Sequence, residues 1–549
     1  MTAKGIAMNN ARKILGGTLI LTAASFLMQT VGVSFNVWLT ARLGAEGIGL
    51  FQLILTVYNL AVTLGCGGVR LAASRLTVEG QARGENTRKT VLGCVRYALL
   101  TGSAAALALF AAADFAAVHW LSDAGSALPL RILALSLPFV AMSSAFNGYF
   151  TAVGKVGRYS AVRILEQGVK IGIVALLMAR LLPRGMRWGC VAIVAGILLS
   201  ELFSFLCLHV LYNMEKQMYS TKSHFFSLRG LLHIALPDVS GTGARSVLLT
   251  IEHLLIPRGL RRSGASADAA LAAYGCIHGM VFPVLLYPSA ILTSLAGLLI
   301  PELAGRHALG RQGQIASIIR RVLRMTMLFS LGTAGILYAF ADGLSQVVYG
   351  ASDSAFYLRI LSVLVPVMYC DMTVDGMLKG LDEQRACMRY NIWDSALCVA
   401  LVWGVLPYAG MRGYVFILFF SELFNFYFSL RRLCRVSTVE LDLAADLFMP
   451  LCCGVCAPAF VLLLMRSCGL CAVWGKGVLI FSVAASVALY ALLLFGFGCL
   501  TAEDAQWFLD ACGLSELRLP GRKKVRKNAK KRGGKPLILL QKVDNKKTI

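Results

Sequence analysis

The chain has 549 residues, 57% of them hydrophobic and only 15% charged, with a mean hydropathy of +0.70 and a formal net charge of +25. That balance excludes a soluble globular protein, and apolar runs of about 20 residues, the length a helix needs to cross a bilayer, recur from end to end. The runs are continuously apolar, without the alternation of barrel strands, so the fold class is an all-α polytopic membrane protein.

Taken in chain order, hydropathy predicts about fourteen spans: 15–41, 47–69, 92–118, 127–152, 160–182, 188–212, 230–257, 269–303, 318–341, 356–379, 390–408, 412–432, 445–465 and 474–498. The first apolar run, Ile14 to Thr40, is too long for a cleavable signal peptide and has no small-residue cleavage site followed by a soluble domain. Gly44, Gly47 and Gly49 form a tight connection between the first two spans. No strand precedes them, so the dinucleotide fingerprint is not met, and the lack of a Walker-type lysine loop argues against an ATP-driven pump. Alternate connections carry clusters of bases, beginning with Arg70, Arg75, Arg83, Arg88 and Lys89; together with the two ends they hold most of the 53 basic residues. The positive-inside rule makes that side, and both termini, cytoplasmic, in a multi-pass protein of the plasma membrane. Arg180, Arg184, Arg187, Arg258, Arg261 and Arg262 run against this scheme.

In the fifth span Glu166 stands four residues before Lys170, the favoured order for a pair along one helix face, with Arg163 one turn earlier. Lys170 sits deep enough to face a cavity. The seventh span is the most informative. Arg245 lies near the middle of its apolar stretch, Leu231 to Pro257, with Asp238 seven residues before it and Glu252 seven after. Seven residues turn a helix through about 700°, so the three charges share one stripe, each separated from the next by about 10 Å. An arginine at the bilayer centre costs on the order of 3 kcal/mol, so this stripe faces protein or a water-filled cavity, and Arg245, Asp238, Glu252 and Lys170 are the candidate substrate-binding residues. Pro237, Gly241 and Gly243 predict that the same helix is broken.

His253 and His278, in spans seven and eight, read as satisfied buried histidines. In the tenth span Asp371, Asp375 and Lys379 share a face; Asp375 and Lys379 form an end pair, and Asp371 is left as a candidate ligand for Na+ or H+. Glu166 and Asp394 are further candidates for ion coupling, although Glu201, Asp394 and Glu422 read first as packing groups between helices. Cys453, Cys456, Cys468 and Cys471 resemble two metal-binding halves, but about 22 Å of helix separates the pairs, so no metal and no cofactor is expected. After Pro520 the tail GRKKVRKNAKKRGGK is a basic cytoplasmic segment drawn to anionic headgroups of membrane lipids, with no groove reader or stacking surface for nucleic acid. Ala502 to Leu517 reads as a short interfacial helix before it.

An internal repeat joins these features. Ser200, Glu201, Leu202, Phe203 and Phe205 recur as Ser421, Glu422, Leu423, Phe424 and Phe426. At an offset of 228 residues Asn147 and Gly148 match Asp375 and Gly376, and Glu166 matches Asp394. The chain therefore divides into a six-helix lobe at 1–212, a cytoplasmic linker at 213–228, a second six-helix lobe at 229–434, two added spans at 435–498, and the interfacial helix and tail at 499–549. Lobes repeated in the same orientation usually meet at a central substrate cavity.

The runs GCGGVRLAASRL (65–76), YGCIHGMVFPVLLYPSAILTSLAGLLIPELA (274–304), DGMLKGLDEQ (375–384) and GMRGYVFILFFSELFNF (410–426) resemble the stage V sporulation protein B group of polysaccharide flippases. That group belongs to the multidrug/oligosaccharidyl-lipid/polysaccharide exporter superfamily. The resemblance covers about residues 10–500 and is most specific in the eighth span. It implies a V-shaped, two-lobed transporter that moves undecaprenyl-linked saccharide or peptidoglycan precursors across the membrane, in spore cortex synthesis.

Bases in spans five and seven suit the pyrophosphate of such a cargo, and guanidinium recognises phosphate in two-point fashion better than ammonium does. The expected activity is alternating access around Arg245 by a flippase rather than an enzyme. Two other readings compete. A cation-coupled multidrug antiporter would favour acids in the cavity, yet the first span contains none. A membrane-embedded glycosyltransferase or polymerase would need catalytic groups on outer loops longer than those predicted.

Overall fold

The computed structural model describes residues 3–83, 87–215, 228–350, 353–437, 447–467 and 474–500; the interfacial helix, the basic tail, most of the linker, and Cys468 and Cys471 lie outside these. Residues 20–493 form one compact unit, and 1–19 with 494–549 a second. The helices are α1 (Ala3–Cys66), α2 (Val69–Ala82), α3 (Arg88–Phe115), α4 (Ala127–Ala134), α5 (Leu137–Ala152), α6 (Val156–Leu181), α7 (Met186–Met214), α8 (Leu228–Arg262), α9 (Ala267–Gly275) and α10 (Phe282–Leu286). They continue with α11 (Ala290–Ala308), α12 (Gln312–Ala339), α13 (Ala341–Tyr349), α14 (Asp353–Ser362), α15 (Val365–Gly380), α16 (Gln384–Ser437), α17 (Met449–Ser467) and α18 (Lys476–Gly496). No strand occurs among the described residues.

Among the described residues eight helices are long and apolar enough to cross a membrane, or ten if each of two bent pairs counts as one span. Two of the eight are double passes: α1 folds back at Gly44 (φ 70°) and α16 at Gly410 (φ 54°), conformations that a side chain would strain. Predicted spans five and seven fall on α6 and α8, whose charges and polar groups set them apart from those eight. Leu100, Leu107, Trp403, Ile480 and Phe481 are each more than 65% exposed, an apolar surface suited to hydrocarbon and not to water. The chain is an integral membrane protein.

The repeat is visible in the bends. Span four breaks between α4 and α5 by 40°, and span ten between α14 and α15 by 57°; Pro138 and Pro366, second residues of α5 and α15, stand at the same offset as the repeat. Gly148 on α5 lets α2 approach so closely that a Cβ there would lie 2.5 Å from the Arg70 carbonyl oxygen. At its counterpart Gly376 on α15 a Cβ would lie 2.9 Å from the Ala296 Cβ of α11. Added helix α17 packs on α12, and Phe340, Val461, Met465, Leu479 and Trp474 fill the space beside α18.

Two expectations change here. The helix through Pro237, Gly241 and Gly243 is unbroken, since α8 runs from Leu228 to Arg262; both small residues instead admit neighbours, Met388 at Gly241 and Leu64 at Gly243. Besides the bends in spans four and ten, it is spans two and eight that are broken. Span two stops at Gly67 and Gly68 (φ 70°) and resumes as α2, while span eight passes through a π-helical turn, Cys276–Val281, and a second break at 287–289. Pro283 has no N–H to offer the carbonyl of Gly279 four residues back, and Asn36 Nδ2 donates to that oxygen at 2.6 Å. Tyr349 serves the Met280 carbonyl at 2.8 Å and Tyr369 that of Leu285 at 2.6 Å. Irregular backbone at membrane depth is tolerated because side chains of neighbouring spans complete its hydrogen bonds. Likewise Gly47 and Gly49 lie beyond the turn at Gly44, inside the second span, and serve packing.

Candidate functional site between the lobes

The first lobe meets the second along α8 and α9. Within α9, Gly275 crosses Gly49 of α1 backbone to backbone: a Cβ on Gly49 would overlap the Leu271 carbonyl oxygen, and one on Gly275 that of Ala45. The two contacts are reciprocal, as expected at an axis relating two repeats.

Helix α8 is clasped to the first lobe near each of its ends. Near its N-terminus Asp238 accepts a hydrogen bond from the Gly68 backbone N–H at 3.1 Å. A Cβ on Gly68 would meet Ala235 Cα at 2.5 Å, and one on Gly67 would meet Val239 Cγ2 at 2.7 Å. Near its C-terminus Arg258 donates to the Trp120 carbonyl at 3.2 Å and Arg261 to Ser122 at 2.8 Å. The arginines that ran against the positive-inside pattern are therefore partly spent on inter-lobe bonds. Asp238 sits in a clasp as well. Arg245 lies between the two clasps, exposed, and makes no ion pair among the described residues.

The acids gather in two matched groups. In the first lobe Glu166, 3% exposed, takes Arg163 at 2.6 Å, and the same guanidinium reaches Glu201 on α7 at 3.7 Å. Glu166 is thus paired three residues back rather than with Lys170. That leaves Lys170 half-buried, without an ion pair among the described residues, in the field of Glu166 and Glu201. In the second lobe Asp394 accepts from Ser421 at 2.6 Å, Asp371 accepts from Asn425 at 3.0 Å, and Glu422 follows Ser421 on the same helix. Arg245 is the cation whose field reaches Asp371, Asp394 and Glu422. Glu252, 9% exposed, stands near Asp394 and Glu422. The expected Asp375–Lys379 pair is replaced: Asp375 accepts from the Cys387 thiol at 3.0 Å.

The structure brings Arg245, Asp371 and Asp394 into one electrostatic group with Glu252 beside it, puts Lys170 and Glu166 in the matching group of the other lobe, and assigns Asp238 to a clasp. Asn425 and Ser421, which hold Asp371 and Asp394, were hidden in the sequence by their ordinary polar identity. For Ser421 the signal was the repeat itself, since it opens the motif shared with Ser200, whereas Asn425 stands where the first half has Ser204. One exposed guanidinium and one unpaired ammonium, each opposed by carboxylates held through neutral donors or a single base, can receive a multiply charged anion and surrender it again.

Membrane-spanning helices in two repeats that bend alike, with Arg245 between the clasped ends of α8, define a polytopic membrane protein of transporter fold. Residues 14–301, more than half of the chain, match the polysaccharide biosynthesis protein family, and the chain belongs to that family. It is 26% identical over 412 residues to stage V sporulation protein B of Bacillus subtilis (strain 168), a match covering 73% of this chain and 79% of that protein. It is 25% identical over 169 residues to the lipid II flippase MurJ of the same organism, covering 29% and 31%. Among solved structures, the lipid II flippase MurJ in an inward closed conformation aligns with a TM-score of 0.62 at 13% identity, over 87% of this chain and 98% of that one. An inward-facing multidrug resistance MATE family transporter of the MOP superfamily aligns with a TM-score of 0.57 at 15% identity, over 77% and 99%. These structural likenesses speak for the fold.

Proposed function

We propose that the protein is a flippase, not an enzyme, that moves an undecaprenyl-linked saccharide or peptidoglycan precursor across the cytoplasmic membrane by alternating access, both termini lying on the cytoplasmic side. The observation that carries this reading is Arg245, a mid-span guanidinium without a fixed partner, placed between two clasps that close the lobes on each other. A lone cation at that depth is tolerated where water and a changing anionic partner reach it. In this reading the pyrophosphate takes Arg245 and then Lys170, displacing the field of the carboxylates; Asp238 opens and closes one end, and Glu252 borders the path. Asp371, Asp394 and Glu166 are the groups through which Na+ or H+ couples, assisted by the membrane potential at about 2.3 kcal/mol per charge per 100 mV. The names of the curated relatives, a sporulation protein and a lipid II flippase, support a lipid-linked cargo, and in this reading the flipping serves spore cortex synthesis.

The test is a flipping assay in proteoliposomes across a panel of polyprenyl-pyrophosphate sugars. Protein-dependent loss of label from one leaflet supports the reading, and no movement of any member of the panel refutes it. The carboxylates of the second lobe favour a second reading, export of organic cations, which predicts that cells making the protein resist cationic dyes.

A further inference from the structure

A group of titratable side chains lies at the joint between the lobes and takes no part in the path just described. His253 of α8 places Nδ1 3.0 Å from the Tyr274 hydroxyl, and His278 in the π-helical turn places Nε2 2.7 Å from the Tyr414 hydroxyl on α16. The imidazoles touch edge to face with centroids 4.7 Å apart, and the Tyr274 ring lies 4.6 Å from that of His278. Both tyrosines are 1% exposed.

The surroundings belong to both lobes. Tyr274 precedes Gly275, the residue that crosses Gly49, and Thr56 of the first lobe lies beside its hydroxyl. Asn36, also of the first lobe, holds the carbonyl of Gly279, next to His278. From α8 the group is faced by Glu252, and from α16 by Cys398 beside Tyr414; Cys276, Tyr349 and Asp353 border the π-helical turn on its other side.

We propose that His253 and His278 form a proton-binding site that governs the joint between the eighth span and the first lobe, so that one bound proton favours separation of the lobes there. Two imidazoles in edge contact hold one proton but not two, because like charges at this spacing repel strongly away from water. Protonation turns a ring nitrogen from acceptor to donor, so a tyrosine hydroxyl that donated to it must reverse and find another acceptor. A buried hydroxyl left without one is costly, and parting the joint lets water supply it. The π-helical turn, Cys276–Val281, is a local departure from regular helix at this joint, the kind of irregularity that recurs at functional sites.

The test is hydrogen exchange of peptides from 267–286 in the full chain in lipid nanodiscs, corrected for intrinsic chemistry, from about pH 8 down to about pH 4. Exchange of the wild type is expected to rise on the order of tenfold as the pH falls through this range. The double variant His253→Gln with His278→Gln, which keeps hydrogen-bonding side chains but cannot take the proton, is expected to show a flat profile. Tyr414→Phe, with the ring retained, is expected to move the midpoint. A flat wild-type profile, or an unchanged profile in the double variant, overturns the proposal; should the double variant fail to fold, an unmoved midpoint in Tyr414→Phe does so. The readout needs lobes that part and no particular cargo, so it stands or falls separately from the flipping assay.

Discussion

The two lobes carry acids at matched positions, Glu166 with Asp394 and Glu201 with Glu422, and neutralise them differently. Glu166 and Glu201 of the first lobe share Arg163 from the helix that bears Glu166, within one turn. At the offset of the repeat the places of Arg163 and Lys170 are taken in the second lobe by Asn391 and Cys398, and Asp394 is left with a serine hydroxyl and the field of Arg245 from another helix. A base on the same helix is a fixed answer to a buried acid, whereas one on a helix clasped near each end to the other lobe is an answer that lobe motion can withdraw. The first lobe is built as a settled ion pair and the second as a charge that remains available.

The symmetric crossing offers the harshest way to break the comparison. Gly275→Ala and Gly49→Ala should each force the helices apart, since each added Cβ collides with backbone, and loss of folded protein in detergent on the scale of several kcal/mol is expected in both. Equal losses, measured by thermal unfolding, would show that the joint is shared evenly. Arg163→Ala comes next. It strands the 3% exposed Glu166 and should destabilise by about 3 kcal/mol, with Glu166→Gln in the same chain restoring much of it.

Arg245→Ala should leave folding nearly intact and reduce flipping by roughly 100-fold, the scale on which a charge-assisted contact to a diphosphate acts; Arg245→Lys should recover only part of the rate. A folding defect as large as that of Arg163→Ala would erase the distinction between the lobes. Ser421→Ala is the mildest, removing one hydrogen bond to Asp394 at a cost of about 1 kcal/mol in thermal unfolding, and it sharpens the comparison if its effect grows when Arg245 is also replaced.

The amino-acid sequence by itself determined the spans, the repeat and the charges. Each of these is local: twenty apolar residues have one stable use in a bilayer, and Arg245 is intolerable to lipid wherever its helix stands. Even the bends were written locally, in Pro138 and Pro366, though their significance emerges only when the pairs α4–α5 and α14–α15 are seen to bend alike. Tertiary structure decided the partners. Glu166 can reach three residues back or four residues on with equal ease along its own helix, and the choice of Arg163 is made where Glu201 of α7 shares the same guanidinium. The glycines and prolines of α8 read as a break, but a helix packed against Met388 and Leu64 keeps its course. The real interruption fell in span eight, where Asn36, Tyr349 and Tyr369 stood ready to complete the freed carbonyls. Periodicity carries what one helix wants from its solvent, and only packing carries which distant side chain satisfies it.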